Sequence, residues 1–76
     1  MKAEQSEVVK IIHDANTQID FDKLSPEIYL RDIGADSLDM MTILLGLQDK
    51  YGIEIPDEAV EKLNSVAAIC DFINNT

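Results

Sequence analysis

Cys70 is the only cysteine in the chain and His13 the only histidine. That scarcity constrains the fold more than any other feature. A disulfide within the chain needs two cysteines, and a structural zinc site needs several thiol or imidazole ligands, so neither staple is available. A chain of 76 residues buries only about 60% of the surface its unfolded form exposes. Its stability must come from apolar faces of regular elements packed on one thin core, and the expectation is a single domain over residues 1–76. A free cysteine fits a reducing compartment, read here as the cytoplasm, or an organelle lumen if a transit peptide has been removed.

Apolar spacing supplies the elements, and all of them are helical. Val8, Ile11, Ile12, Ala15 and Ile19 recur with helical period, predicting a first helix over about residues 3–17. His13 falls towards its polar side with no metal partner or nucleophile nearby in sequence, and reads as a surface histidine. A long connection follows, over about residues 18–35, with turn signals at Asp20, Asp22, Ser25-Pro26 and Gly34. Ile19, Phe21, Leu24, Ile28, Tyr29, Leu30 and Ile33 are expected to pin it to the core. Its Asp20-x-Asp22 start imitates a calcium loop, but Ser25 stands where that loop needs glycine and Arg31 where it needs glutamate.

A second helix is predicted from Asp36-Ser37 to Tyr51, with Asp36 as N-cap, Asp39 in the first turn and Gly52 as the stop. A short third helix follows Pro56 and is expected to end near Leu63-Asn64. Ser65 caps a last helix running to Asn74, with Val66, Ile69, Phe72 and Ile73 inward and Cys70 beside them. The fold class is therefore all-α: a small four-helix bundle, three longer helices and one short, with a long loop between the first two.

The second helix carries more apolar surface than a core requires. Placed at 100° per residue from Leu38, the side chains of Met40, Ile43, Leu44, Leu47 and Tyr51 fall between about 140° and 240°. Leu38, Met41 and Leu45 form a second stripe well away from the first. Two readings stand: the helix packs on two neighbours, or the second stripe is exposed as a docking strip for other proteins.

The charge narrows the partners. With 15 acidic and 6 basic side chains the formal net charge is −9. Phosphate contacts need Lys and Arg, so nucleic acid and anionic membrane are poor partners, whereas basic protein surfaces are good ones. No apolar run approaches membrane-spanning length, and no membrane insertion is expected.

Gly34-Ala35-Asp36-Ser37-Leu38 sets a hydroxyl in the first turn of a helix, where backbone N–H groups gather and a phosphate ester is favoured. A serine hydrolase would instead need flanking glycines and a base, and only His13, on another helix, is present. By itself Ser37 is equally a plain helix-start residue.

The hexapeptide Gly34-Ala35-Asp36-Ser37-Leu38-Asp39 resembles the phosphopantetheine attachment motif of the acyl carrier protein family. Ile33-Gly34 resembles the Leu-Gly that precedes it there. Tyr51-Gly52-Ile53-Glu54-Ile55-Pro56-Asp57-Glu58 resembles the family's Phe-Gly-x-x-Ile-Pro-Asp-Glu segment, and the run from Val66 to Ile73 its last helix.

This resemblance implies a monomeric carrier with no catalysis of its own and no metal site. A phosphopantetheinyl transferase would attach 4'-phosphopantetheine from coenzyme A to Ser37, reading Asp36 through its magnesium site. The arm would present acyl groups to acyl transferases, ketosynthases and other fatty-acid or polyketide-type enzymes. Leu38, Asp39, Met41 and Leu45 would meet those partners. Ile43, Leu44, Leu47, Ile55, Ala59, Leu63 and Ile69 are candidates to line a cavity for the acyl chain, or simply to fill the core. A D-alanyl, aminoacyl or peptidyl cargo, or an unmodified docking module, are the alternatives. Thr42, Gln48, Asp49 and Lys50 stand where many fatty-acid carriers place glutamates, and Gly46 replaces the usual alanine. These departures favour a specialised pathway.

Overall fold

The computed structural model describes residues 2–15 and 18–75. It contains four α-helices: α1, Gln5–Asp14; α2, Ser37–Tyr51; α3, Asp57–Val60; and α4, Val66–Asn74. No strand occurs among the described residues. The first helix is shorter than its apolar spacing predicts. It closes at Asp14, with the Ala15 N–H donating to the Ile11 carbonyl at 2.9 Å, and positions 16 and 17 of the expected span lie outside the described residues.

Helices α2 and α4 each begin where a side chain accepts from a first-turn N–H, as helix ends require. The Asp36 carboxylate accepts from the Asp39 N–H at 2.8 Å, and the Ser65 hydroxyl accepts from the Ala68 N–H at 3.2 Å. Glu7 reaches back to the Glu4 N–H at 3.3 Å at the head of α1. Gly52, with φ of +64°, ends α2 in the left-handed conformation that glycine adopts without steric cost.

Helix α1 packs on α2 and α4. Val8 and Ile12 from α1 meet Ile43 and Leu47 from α2 and Ile69 and Ile73 from α4 in one fully buried cluster. Burying each such side chain stabilises the fold by about 1.5–3 kcal/mol. The Ala3 N–H donates to Asn74 Oδ1 at 2.6 Å, fastening the start of the chain to the end of α4. Cys70 is buried, and burial pushes its thiol pKa up, with Asp71 and Glu7 adding to the shift.

The long connection is held by side chains and by backbone. Ile19, Leu30 and Ile33 are buried; Phe21, Leu24 and Ile28 are half-buried against the same core. Tyr29 differs from expectation, at 54% exposed. The connection coils into two 3-10 turns, Phe21–Lys23 and Leu30–Ile33, and the second turns Leu30 and Ile33 inward, leaving Tyr29 outside. Three long-range backbone bonds stitch the loop down: Asp20 N–H to Ile33 O at 2.8 Å, Leu30 N–H to Asn64 O at 2.9 Å, and Ala67 N–H to Pro26 O at 2.8 Å.

Helix α3 is also shorter than expected. Beyond Val60 the chain tightens to i→i+3 bonds, Lys62 N–H to Ala59 O and Leu63 N–H to Val60 O, which turn Leu63 into the core at 2% exposure. Ala59 is the one buried residue of α3.

Candidate functional site

The site is assembled around the start of α2. Gly34 closes the second 3-10 turn with φ of +118°, and a Cβ placed there would stand 2.6 Å from the Gln18 carbonyl oxygen. Only glycine fits a position that combines that dihedral with that approach. Ala35 follows, buried, its N–H donating to the Leu30 carbonyl at 3.1 Å. The chain is thus anchored until one residue before Asp36 and then released to the surface.

Asp36 and Ser37 are both exposed. Asp36 accepts from the Asp39 N–H, and Asp39 Oδ2 accepts in return from the Asp36 N–H at 3.3 Å. This reciprocal capping box fixes both carboxylates. The first bond of the helix ladder runs from the Met40 N–H to the Asp36 carbonyl at 3.0 Å. The N–H groups of Ser37 and Leu38 precede it and stand at the positive end of the helix dipole, beside the Ser37 hydroxyl. This arrangement suits a phosphodiester on that oxygen. His13, the base a serine hydrolase reading would call on, lies on α1 with its ring 5.2 Å from Phe21 and Nδ1 4.0 Å from Asp14 Oδ1.

The two stripes of α2 separate cleanly. Met40, Ile43, Leu44 and Leu47 are buried, while Leu38, Met41 and Leu45 are 74%, 52% and 59% exposed. The second stripe is thus left largely open to solvent, the geometry of a docking strip. Thr42, beside the strip, turns its hydroxyl to the Leu38 carbonyl at 3.0 Å.

A groove of about 400 Å³ runs between α2 and α3, lined by Met41, Leu44, Leu45, Gln48, Ile55 and Val60, with Asp57 and Glu61 also at its wall. Of the seven pocket candidates, Leu44 and Ile55 line this groove. Leu63 lines a second groove of about 350 Å³ with Tyr29, Arg31 and Met40, and Ala59 with Leu63 a third between α3 and α4, with Ala68 and Phe72. Ile43, Leu47 and Ile69 have no exposed surface and sit in the closed core.

Sequence reasoning missed Gln48, Val60 and Glu61 in the wall of the α2–α3 groove. Val60 carried no distinguishing signal. Gln48 was noticed only as a replacement for an acid, yet its Oε1 accepts from the Ile55 N–H at 2.9 Å, tying the α2–α3 connection to α2. Gly46 is explained by packing: a Cβ there would meet Ile11 Cγ2 of α1 at 3.1 Å.

Comparison with known proteins agrees with this geometry. Residues 7–73 match the family model described as a phosphopantetheine attachment site. The chain is 41% identical over 75 residues to an acyl carrier protein of Thermosynechococcus vestitus, covering 97% of this chain and 93% of that protein. Its fold superposes with a TM-score of 0.81, at 21% identity, on a chain in the crystal structure of an engineered Bradyrhizobium japonicum glycine:[carrier protein] ligase complexed with a carrier protein from Agrobacterium tumefaciens and ATP. That match covers 95% of this chain and 97% of the other. No helix among the described residues is long and apolar enough to cross a membrane. The chain belongs to the acyl carrier protein family, whose cofactor is 4'-phosphopantetheine.

Proposed function

We propose that this chain is a single carrier domain whose Ser37 hydroxyl takes the 4'-phosphopantetheine arm and whose cargo is an acyl group. The carrying observation is the exposed Ser37 at the first position of α2, set between a rigid Asp36–Asp39 box and a bare apolar strip. In the attachment step the Ser37 oxygen forms a bond to the pantetheine phosphorus of coenzyme A. The pyrophosphate bond breaks, adenosine 3',5'-bisphosphate leaves, and the serine proton passes to a base on the transferase. Once bound, the group supplies a thiol that holds cargo as a thioester.

The chain's own residues supply position and recognition. Asp36 is read by the phosphopantetheinyl transferase. The N–H groups of Ser37 and Leu38 favour the phosphodiester. Leu38, Asp39, Met41 and Leu45 dock acyl transferases, ketosynthases and related enzymes through basic patches on those partners. The groove between α2 and α3 shelters the acyl chain, with Leu44 and Ile55 in its wall. The protein acts as a monomer in the cytoplasm, is a substrate of enzymes and performs no catalysis of its own. It serves a fatty-acid or polyketide-type pathway.

The test is direct. Incubation with coenzyme A, magnesium and a promiscuous phosphopantetheinyl transferase should add the mass of one phosphopantetheine to the wild type and none to Ser37→Ala, which should remain folded. An unmodified wild type, under conditions that load a control carrier, would overturn the assignment.

A further inference from the structure

The chain has a single arginine, Arg31, among its 6 basic residues. It is exposed, in the second 3-10 turn, on the segment that leads into the serine at the head of α2. That turn folds the segment back on itself. The Ala35 N–H donates to the Leu30 carbonyl at 3.1 Å, and Ser37 follows two residues later, at most about 7 Å further along the chain. The Arg31 side chain shares a groove of about 350 Å³ with Tyr29, Met40 and Leu63. Met40 is the neighbour of Ser37 on α2, about 60° round the axis and about 4.5 Å along it. Arg31 therefore lies beside the head of α2, on the Met40 side of Ser37. Leu38, Met41 and Leu45 lie on the other side of that serine.

The guanidinium has no ion-pair partner among the described residues, where the ion pair present joins His13 to Asp14. Acids are close at hand all the same: Asp32 follows it in sequence, and Glu61 lines the same groove. Asp36 and Asp39, at the head of α2, are engaged with one another's backbone N–H groups. A phosphodiester on Ser37 adds a further negative charge beside those two carboxylates, on a chain already at −9. Like charges at this range raise the free energy of the loaded form, and a cation within reach offsets it. The planar fork of arginine can hold two phosphate oxygens at once, which the point charge of a lysine cannot.

We infer that Arg31 is a positioning residue for the prosthetic group: its guanidinium pairs with the phosphodiester once Ser37 is modified, and holds that phosphate on the Met40 side of α2, clear of the docking strip. This rests on the carrier reading of Ser37 and adds to it a residue outside the attachment motif. In the unmodified protein Arg31 is exposed to water, so the pair forms only on loading. Because it forms at the surface, salt weakens it.

The experiment compares the full chain before and after loading from coenzyme A by a promiscuous phosphopantetheinyl transferase. A single arginine gives a single side-chain Nε–H resonance, so its assignment is unambiguous. On loading, that resonance should move and its exchange with water should slow, and both changes should shrink between about 0.02 and about 0.5 M salt. The phosphorus-31 resonance of the loaded form should differ between wild type and Arg31→Gln. The melting temperature of the loaded form, taken relative to the unloaded form of the same variant, should be about 3 °C lower in Arg31→Gln than in wild type. Arg31→Lys keeps the charge without the fork and should restore part of that difference. An Arg31 resonance unchanged by loading, or one phosphorus resonance common to wild type and Arg31→Gln, would overturn the inference and leave the carrier reading intact. Failure of the wild type to take the group, when a control carrier takes it, would overturn both.

Discussion

Asp36 and Asp39 hold one another: the carboxylate of each accepts the backbone N–H of the other, at 2.8 and 3.3 Å. Asp36 is therefore a structural cap, and this role is separable from the transferase recognition proposed for it. Asp36→Asn keeps an oxygen on the Asp39 N–H and should change stability by only a few tenths of a kcal/mol, whereas Asp36→Ala should cost about 1 kcal/mol. Both should lose most of their rate as transferase substrates. Denaturant melts paired with a mass-based loading assay distinguish the two effects.

Gly34 supports the same site from behind. Gly34→Ala meets a dihedral of +118° and the Gln18 carbonyl oxygen at 2.6 Å, and the atoms met, of Gln18 and Ile19, are backbone that cannot swing away. The expected loss is at least about 2 kcal/mol, read by urea unfolding.

Gly46→Ala sets two terms against each other. Helix propensity gains about 1 kcal/mol, while the new methyl presses on Ile11 Cγ2 at 3.1 Å. In the wild-type background the net gain should fall well below the propensity value. In an Ile11→Ala background, where the opposing methyl is gone, the full gain should appear. A double-mutant cycle between the two positions should return a coupling of about 0.5–1 kcal/mol.

Tyr51 and Cys70 set the alkaline limit. The Tyr51 hydroxyl is buried with no hydrogen-bond partner among the described residues, so Tyr51→Phe should be neutral or stabilising by up to about 1 kcal/mol. Burial, then the charges of Glu7, Cys70 and Glu4, raise the Tyr51 pKa above its ordinary 10.0; burial, then Asp71 and Glu7, raise that of Cys70 above 9.0. An acid whose folded pKa is raised stabilises the fold fully below its unfolded pKa and loses that contribution as pH rises through the folded value. The melting temperature should therefore fall above about pH 9, and fall less steeply in Cys70→Ala. A flat profile between pH 8 and about pH 11 would contradict this.

Local chemistry made much of the molecule legible in the sequence. Asp36 and Ser65 cap their helices as their positions foretell, Gly52 ends α2, and Ser37 stands at the helix start that the motif requires. Each of these depends on residues within a turn of one another, so short-range spacing suffices. The core stripe of α2 was equally plain, because a 3.6 period fixes which side chains share a face.

What faces that stripe's opposite side was decided only by tertiary structure. The wheel separates Leu38, Met41 and Leu45 from the core set but cannot say whether a second helix covers them; the packing of α1 and α4 on the far side leaves them bare. The same holds for Tyr29, which matches Leu30 in hydrophobic promise but lies outside a 3-10 turn that points its neighbour inward. Gln48 meets Ile55 across a bend, and Gly46 meets Ile11 across two helices. The sequence by itself determined the four helices, the caps that start α2 and α4, the glycine that stops α2, and the serine at the head of α2. The fold alone determined which surplus apolar residues stay in water and which polar atoms are left free, because exposure and pairing depend on groups that come together only when distant segments pack.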